Sequence, residues 1–244
     1  MPLLVGGAAA LGVHLDERAR ERFRTYCEEL TRANLRFNLT ALRTPDAMMR
    51  HLFLDSLTLV RALDPQTASP AQQVTLIDVG SGSGVPGIPL KIVFPNWRLT
   101  LVESVQKKAA FLSNLVETLQ LADVAVEAER AEITGRRSEY RDRAGICVAR
   151  AVAAVPALLE LCGPLVRPGG LVLLPKSGDL SGELRDAEPA ARALGLRPEE
   201  AVSLQSEPGR SGPRVILRYR KTSPTPAEYP RRIGLATSRP VGST

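Results

Sequence analysis

Leu76-Ile77-Asp78-Val79-Gly80-Ser81-Gly82-Ser83-Gly84-Val85-Pro86-Gly87 begins as a short apolar segment and continues as alternating glycines. Because glycine lacks a Cβ, its backbone can adopt positive φ and approach a bound nucleotide closely. After Gly87 the spacing of apolar residues predicts a short helix that ends near Pro95. A strand, a glycine-rich turn and a helix N-terminus together predict a nucleotide-binding edge of an α/β fold.

Two cofactor classes fit these glycines. Residues 82–87 match G-x-G-x-x-G, which is typical of dinucleotide-binding proteins. Asp78 also stands two residues before Gly80, followed by Gly82 and Gly84, which is the layout of S-adenosylmethionine-dependent methyltransferases. Glu103 ends the next strand-like segment, where an acid meets ribose hydroxyls in either class. The motif favours a methyltransferase and leaves a dinucleotide enzyme open.

Composition narrows the class of protein. With 244 residues, of which 44% are hydrophobic, the chain can form one α/β domain with terminal extensions. The apolar run from Leu3 to Val13 is too short to span a bilayer and lacks a preceding basic segment. Three scattered cysteines and two histidines provide neither a disulfide framework nor a metal site. We therefore expect a cytoplasmic protein that has no membrane segment and binds no metal. We also expect it to be a monomer.

The net charge of +6 is concentrated at the C-terminus. Residues 209–244 contain eight basic side chains and one acidic side chain, Glu228. This asymmetry predicts a polyanionic partner such as nucleic acid, with a solubilising tail as the alternative.

The pattern of apolar residues divides the chain into four parts. Residues 1–63 form a helical N-terminal subdomain, with an amphipathic helix from Asp16 to Phe37 and a second helix that begins at Thr44-Pro45 and runs to about Leu63. Residues 64–73 are a linker, and residues 74–221 form the α/β domain. We expect the tail, residues 222–244, to lack regular structure until it binds a partner.

Strands and helices alternate from Val74 onward, which predicts a mainly parallel sheet. The predicted strands are Val74–Val79, Arg98–Val102, Val124–Glu127, Ile146–Ala149, Leu171–Leu174, Ala201–Leu204 and Arg214–Tyr219. The predicted helices are Gly87–Val93, Val105–Leu119, Val155–Cys162 and Ser181–Leu194. The last two strands form an antiparallel hairpin around a turn at 207–213. Such a hairpin is typical of the Rossmann-like methyltransferase fold and favours it over a dinucleotide dehydrogenase.

Several motifs in this order resemble the family of 16S ribosomal RNA guanine-N7 methyltransferases, methyltransferase G, also called glucose-inhibited division protein B. The resemblance covers nearly the whole chain. Its motifs are Asn38-Leu39-Thr40, Arg50-His51 with Asp55-Ser56, the glycine segment from Asp78 to Leu90, Lys107-Lys108 with Phe111-Leu112, Arg150-Ala151, and Tyr229-Pro230-Arg231-Arg232. The resemblance implies a seven-stranded methyltransferase fold that binds S-adenosyl-L-methionine and modifies 16S ribosomal RNA or the small ribosomal subunit.

The resemblance also implies roles for individual residues. Those expected at the cofactor are Asp78, Gly80, Gly82, Gly84, Val85, Glu103, Ala131, Glu132 and Arg150, with Ala131-Glu132 near the adenine and Glu103 near the ribose. Those expected at RNA are Lys107, Arg130, Arg214, Arg231 and Arg232. In two places the sequence departs from the family pattern, and no role is assigned there to His51 or Lys176. Three residues separate His51 from Asp55, where family members usually have two, and Leu174-Pro175-Lys176-Ser177-Gly178 replaces a Lys-Gly pair.

The residue types suit methylation at N7. Guanine N7 carries an in-plane lone pair and no proton, so its attack on a sulfonium methyl group needs no general base. The Asp/Asn-Pro-Pro-aromatic motif of enzymes that methylate exocyclic amines is absent after the fourth predicted strand, and Cys147 lies inside that strand. We therefore name no catalytic acid or base; Arg150 is the nearest candidate, and alignment supplies the acceleration.

Each of these side chains also has a structural interpretation. Asp78 can brace the glycine loop instead of contacting the cofactor, and His51 with Asp55 can form a local ion pair. At the level of function, the alternatives are a methyltransferase for a small molecule or a protein, a non-catalytic RNA-binding protein and, last, a dinucleotide oxidoreductase.

Overall fold

In the computed structural model, which describes residues 1–69, 71–150, 153–204 and 213–242, strands and helices alternate after Thr75. The strands are β1 (Thr75–Val79), β2 (Arg98–Val102), β3 (Val124–Glu127), β4 (Ala144–Ala149), β5 (Val166–Ser177), β6 (Leu196–Leu204) and β7 (Arg214–Lys221). The α-helices are α1 (Pro2–Ala10), α2 (Glu17–Arg36), α3 (Pro45–Met48), α4 (Asp55–Leu57), α5 (Gly87–Val93), α6 (Gln106–Thr118), α7 (Ala131–Thr134), α8 (Val155–Cys162), α9 (Ser181–Ala193) and α10 (Leu235–Ser238). Ala151 and residues 207–212 of the expected turn lie outside the described residues.

The strands form one seven-stranded sheet, within the described ranges, in the order β3-β2-β1-β4-β5-β7-β6. Strands β1 to β5 are parallel, and β7 is antiparallel to both β5 and β6. The prediction of a mainly parallel sheet with a C-terminal antiparallel hairpin is confirmed. Because β1 to β5 run in the same direction, their C-terminal ends lie together at one edge, here called the carboxyl edge, where ligands bind in open α/β sheets.

Several predicted boundaries match the observed elements, and β5 is the largest exception. The bounds of β2, β3, α5 and α8 are those expected, whereas β5 extends well beyond the predicted Leu171–Leu174. Pro168-Gly169-Gly170 is typical of a turn, and in β5 these residues form an irregularity where the pairing with β4 shifts register between Val166, opposite Ala144, and Leu171, opposite Ile146. At Gly170 a Cβ would lie only 2.7 Å from the carbonyl oxygen of Gly145, so glycine is needed where the two strands pass.

The helical N-terminal unit, residues 1–63, packs on α5 and α6. Helix α2 begins after Asp16, whose carboxylate accepts a hydrogen bond of 2.7 Å from the Ala19 amide, and it buries the predicted apolar face. Helix α1 is not among the sequence predictions. It packs against the rest of the unit at Gly7, where a Cβ would lie 2.5 Å from the Leu54 side chain. Glycine there allows the two segments to pack closely.

The second predicted helix, from Thr44 to Leu63, is interrupted by a wider turn. Residues Met49–Leu54 form a π-helix, α4 follows, and Thr58–Ala62 is a 3₁₀-helix. Buried residues recur in pairs every four positions, at Met48-Met49, Leu52-Phe53 and Ser56-Leu57. A repeat of four drifts around an ordinary α-helix, and a π-helical turn keeps these pairs on one face. The extra residue between His51 and Asp55 lies inside this turn.

The tail has little regular structure, as expected, since α10 is the one regular element among residues 222–242, but the expectation that it stays unattached until it binds a partner is wrong. Arg231 donates hydrogen bonds from its backbone amide (2.8 Å) and its guanidinium (2.6–3.0 Å) to Glu160 on α8, whose side chain is 1% exposed. Arg141 donates to the carbonyl oxygens of Thr225, Pro226 and Tyr229. Glu160 precedes Arg231 by 71 residues, so the pattern of neighbouring residues in the sequence does not reveal this attachment.

Replacement of Arg231 by Ala should lower the free energy of unfolding by about 3 kcal/mol, because it leaves the Glu160 carboxylate buried without its cation. Urea unfolding measures this change. Arg232→Ala is the matched control, since the neighbouring Arg232 is exposed and should change stability by less than about 0.5 kcal/mol. Equal stabilities of the two variants would contradict the assignment of this pair as an anchor of the tail.

Candidate functional site

The glycine turn between β1 and α5 lies at the carboxyl edge. Gly80, Gly82 and Gly84 have φ values of 71°, 57° and 93°, a region that side chains other than glycine rarely adopt. The Gly80 and Ser81 amides donate hydrogen bonds of 2.8 and 3.2 Å to the Val102 carbonyl oxygen at the end of β2. The turn is therefore an open cradle of backbone atoms fixed to the neighbouring strand.

The helical N-terminal unit supports this turn directly. The hydroxyl of Tyr26, a fully buried residue on α2, donates a hydrogen bond of 2.6 Å to the Ser83 carbonyl oxygen. Burial raises the pKa of Tyr26 well above its usual value, so the hydroxyl remains a donor. A Cβ on Gly84 would lie 2.7 Å from the same hydroxyl. The sequence analysis did not predict this contact. The feature that could have indicated it is a tyrosine hydroxyl on the apolar face of an amphipathic helix.

Asp78, near the end of β1, also supports the turn. Its carboxylate is fully buried, and Oδ2 accepts a hydrogen bond of 2.9 Å from the Gly87 amide. Oδ1 has no hydrogen-bond partner among the described residues. Burial raises the pKa of Asp78 to about 7, against the opposing effects of the Gly87 hydrogen bond and the positive charge of Arg150. The sequence analysis gave two interpretations of Asp78, a contact with the cofactor or a brace for the glycine loop. The hydrogen bond to Gly87 is such a brace.

Glu103 connects the glycine turn to the start of α6. Its Oε2 accepts a hydrogen bond of 2.9 Å from the Gly82 amide, and its Oε1 accepts one of 2.8 Å from the Val105 amide. Each carboxylate oxygen has a second lone pair that can accept a hydrogen bond from a ribose hydroxyl. The side chain is buried at the carboxyl edge, where the sequence places it.

Asp55 brings two of the predicted arginines together. Its carboxylate pairs at 2.8 Å with Arg150, which directly follows β4, and it also pairs with Arg214, the first residue of β7. All three side chains are largely buried, at 17% exposure or less. Both guanidinium groups lie at the carboxyl edge, because Arg214 pairs with Ser177 at the end of β5. The sequence analysis proposed a local ion pair of Asp55 with His51 and did not predict that Asp55 pairs with these two arginines.

Lys176, which received no role from the sequence, holds the backbone directly before α8. Its ammonium group contacts Glu183 at 2.8 Å and donates to the Ala153 carbonyl oxygen at 3.2 Å. Glu183 in turn accepts a hydrogen bond of 2.9 Å from the Val155 amide. These contacts fix the start of α8.

The loop after β3 is connected to the tail. Arg130 precedes α7, and Ala131 begins it. The Glu132 carboxylate, expected near an adenine, is buried and accepts a hydrogen bond of 2.8 Å from the Gly234 amide of the tail. The side chain of Glu132 therefore fixes the tail. For the expected contact with an adenine, the backbone at Ala131–Glu132 is the part that remains suited.

The predicted RNA-contacting residues divide into two groups. Arg214 and Arg231 have guanidinium groups paired with Asp55 and Glu160. Arg130 and Arg232 are exposed. The Lys107 ammonium group lies 5.6 Å from the centroid of the Phe37 ring. Two of the basic side chains of the C-terminal segment 209–244 are therefore committed to internal ion pairs.

Among residues 1–69, 71–150, 153–204 and 213–242, no three histidine, cysteine or acidic side chains are grouped as a metal site requires. No helix in the described part of the chain combines the length and apolarity needed to cross a bilayer.

The sequence has extensive similarity to known proteins. The model of the family described as rRNA small subunit methyltransferase G matches residues 19–211. The chain belongs to this family. Proteins named ribosomal RNA small subunit methyltransferase G are 42% identical over 241 residues in Roseiflexus sp. (strain RS-1) and 43% identical over 241 residues in Chloroflexus aggregans. These alignments cover 99% and 98% of this chain and 100% and 97% of the relatives.

Solved structures show the methyltransferase fold. The antibiotic-resistance methyltransferase Kmr aligns with a TM-score of 0.51 at 17% identity, over 62% of this chain and 88% of that chain. The fibrillarin pre-rRNA processing protein of Methanococcus jannaschii aligns with a TM-score of 0.50 at 8% identity, over 63% and 69%. At these identities the similarity is one of fold. Together with the family match, it identifies the chain as a Rossmann-like methyltransferase of the methyltransferase G family.

Replacement of Asp78 by Asn should change how stability depends on pH. The unfolded carboxyl releases its proton near pH 4, whereas the folded one retains it to about pH 7. Asp78 therefore makes the free energy of unfolding fall as pH rises from 4 to 7, and the variant lacks this contribution. Asn can still accept the Gly87 hydrogen bond. We expect the stability of Asp78→Asn relative to wild type to rise between pH 5 and pH 8 in urea unfolding; a constant difference would refute the raised pKa.

Proposed function

We propose that this protein transfers the methyl group of S-adenosyl-L-methionine to N7 of a specific guanine in 16S ribosomal RNA. The observation that carries the proposal is an intact glycine cradle at the carboxyl edge, with Glu103 and Arg150 beside it, in a chain that matches methyltransferase G relatives over nearly its whole length. Its substrate would place the enzyme in the cytoplasm, where we propose that it acts as a monomer.

The residues of the cradle fit the proposed cofactor. The positive-φ glycines Gly80 and Gly82 leave the backbone accessible to a nucleoside, and the buried Gly84 and Val85 shape the same turn from its core side. Glu103 can accept hydrogen bonds from ribose hydroxyls. The unpartnered Oδ1 of Asp78 can balance a cationic amino group. We assign the adenine to the backbone of Ala131 and Glu132, and the neighbourhood of the methyl donor to Arg150.

The proposed chemistry needs alignment more than proton transfer. S-adenosylmethionine supplies an electrophilic methyl group on a sulfonium, and guanine N7 offers a lone pair without losing a proton. Arg150 is held by Asp55, so its charge is fixed at the carboxyl edge before RNA binds. Arg150 is the nearest catalytic candidate, and no general base is assigned. Orientation of two bound reactants can by itself supply several kcal/mol of the rate acceleration.

The target guanine must be accessible at N7. The deep and narrow major groove of an A-form helix hides N7, so the base must come from a loop or a distorted element. Removing it from a stack costs a few kcal/mol, and less where it is already unstacked. Lys107, Arg130 and Arg232 are proposed to contact phosphates. Arg214 and Arg231 are proposed to act as fixed positive charges within the fold, because their guanidinium groups are internally paired.

Gly80→Asp should abolish binding of S-adenosylmethionine, because it places a side chain and a negative charge in a backbone turn with a φ of 71°. Isothermal titration with S-adenosylmethionine measures the change. Gly182→Asp is the control, since a Cβ there meets nothing within 4 Å. Unchanged affinity in a folded Gly80→Asp protein would reject the assigned cofactor site.

The reaction itself is tested by incubating the protein with radiolabelled S-adenosylmethionine and unmethylated small-subunit RNA or particles. Reduction and aniline cleavage then cut the RNA at N7-methylguanine, and a single cut is the expected result. Label without a cut would retain a methyltransferase and reject N7. Cofactor binding without label would favour a small-molecule or protein substrate, or a non-catalytic RNA-binding protein. Binding of NAD in place of S-adenosylmethionine would indicate an oxidoreductase.

A further inference from the structure

The loop that follows α2 is an ordered projection. The Asn34 side-chain oxygen accepts hydrogen bonds from the Leu39 amide (3.1 Å) and the Thr40 amide (3.0 Å), and its nitrogen donates to the Leu42 carbonyl oxygen (3.0 Å). Leu39 is buried and anchors the loop to the core. One amide side chain thus fixes the conformation of residues 37–43, which with Leu35 and Arg36 are here called the α2 projection.

The α2 projection lies beside the glycine cradle. Helix α2 runs antiparallel to α6: Arg22 donates to the Leu119 carbonyl oxygen at the end of α6, and Lys107 at the start of α6 contacts the Phe37 ring. The start of α6 is joined to the cradle through Glu103. Phe37 follows Tyr26, which contacts the cradle, by eleven residues, or about 16 Å along a helix. The projection therefore stands above one side of the carboxyl edge.

The surface of the α2 projection is basic and exposed. Between Glu29 and Asp46 the sequence has three arginines and no acidic residue. Arg36 and Arg43 are exposed, and Arg43 is oriented by a hydrogen bond of 2.9 Å to the Asn38 side chain. Leu35 is 85% exposed, the largest value among the exposed large hydrophobic residues. Exposed guanidinium groups beside an apolar side chain match a phosphate backbone with its sugars and bases.

Resting on the proposed function, we infer that the α2 projection is the surface that grips the RNA substrate beside the target guanine. Charge in the sequence favours the C-terminal segment 209–244 for this role, but Arg214 and Arg231 are paired internally, and Arg218 and Arg220 contact Glu199 at 3.0 and 2.9 Å. Among the described residues of that segment, Arg232 and Arg239 are the exposed arginines, and both lie in the tail. Arg36 and Arg43 each contact one phosphate, and together with Lys107 they direct the strand towards the cradle.

The test reverses charge on the projection and on a matched surface. Arg36→Glu with Arg43→Glu is compared with Arg98→Glu with Arg167→Glu. Arg98 and Arg167 are exposed and lie at the opposite edge of the sheet, near the starts of β2 and β5. Both double variants change the net charge equally. Affinity for S-adenosylmethionine and thermal stability should be unchanged in both, which shows that the cradle and the fold are intact.

RNA binding is then measured as a function of salt, together with the KM for RNA. The projection variant should reduce the slope of log K against log salt by about 1.4 to 1.8 and raise KM for RNA at least about tenfold, because two phosphate contacts are lost. The control should keep the wild-type slope. Equal slopes in the two variants would overturn the inference. Wild-type protein that binds RNA without methylating it would instead count against the proposed function, and the slopes would still decide the role of the projection.

Discussion

The glycine turn after β1 is the constraint on which the rest of the site depends. Its three positive-φ glycines give the backbone an open shape that has little conformational stability of its own. The turn keeps that shape because three side chains bind it from different directions: Asp78 through Gly87, Glu103 through Gly82, and Tyr26 through Ser83. One of these three comes from the helical N-terminal unit. That unit is therefore part of the site, although it contributes nothing to the sheet.

The same unit also organises the charge at the carboxyl edge. Asp55 is buried between guanidinium groups from β4 and β7, so the negative charge comes from the helices and the positive charges from the sheet. Removing either partner would leave a buried charge uncompensated, which is far more costly than losing an exposed ion pair. The π-helix Met49–Leu54 ends directly before Asp55, so this wider turn sets the position from which the carboxylate reaches Arg150 and Arg214.

The sequence predicted what depends on local chemistry. Alternating apolar segments and glycine spacing gave the strands of the parallel sheet and the cradle, because periodicity and positive φ are properties of neighbouring residues. Contacts between distant residues could not be predicted in this way: Tyr26 with Ser83, Asp55 with Arg214, and Glu160 with Arg231 are each more than 50 residues apart. The error about the tail has the same origin. A count of charges treats every arginine as solvated, and only the fold shows which of them are neutralised.

The attachment of the tail has a consequence for how the chain matures during translation. Glu160 is synthesised 71 residues before Arg231, and Glu132 is synthesised 102 residues before Gly234. Both carboxylates are buried in the folded protein, so their burial is compensated only after residues 231–234 have been synthesised and have left the ribosome. The face formed by α7 and α8 is thus completed late, by residues that are translated long after the helices they cover.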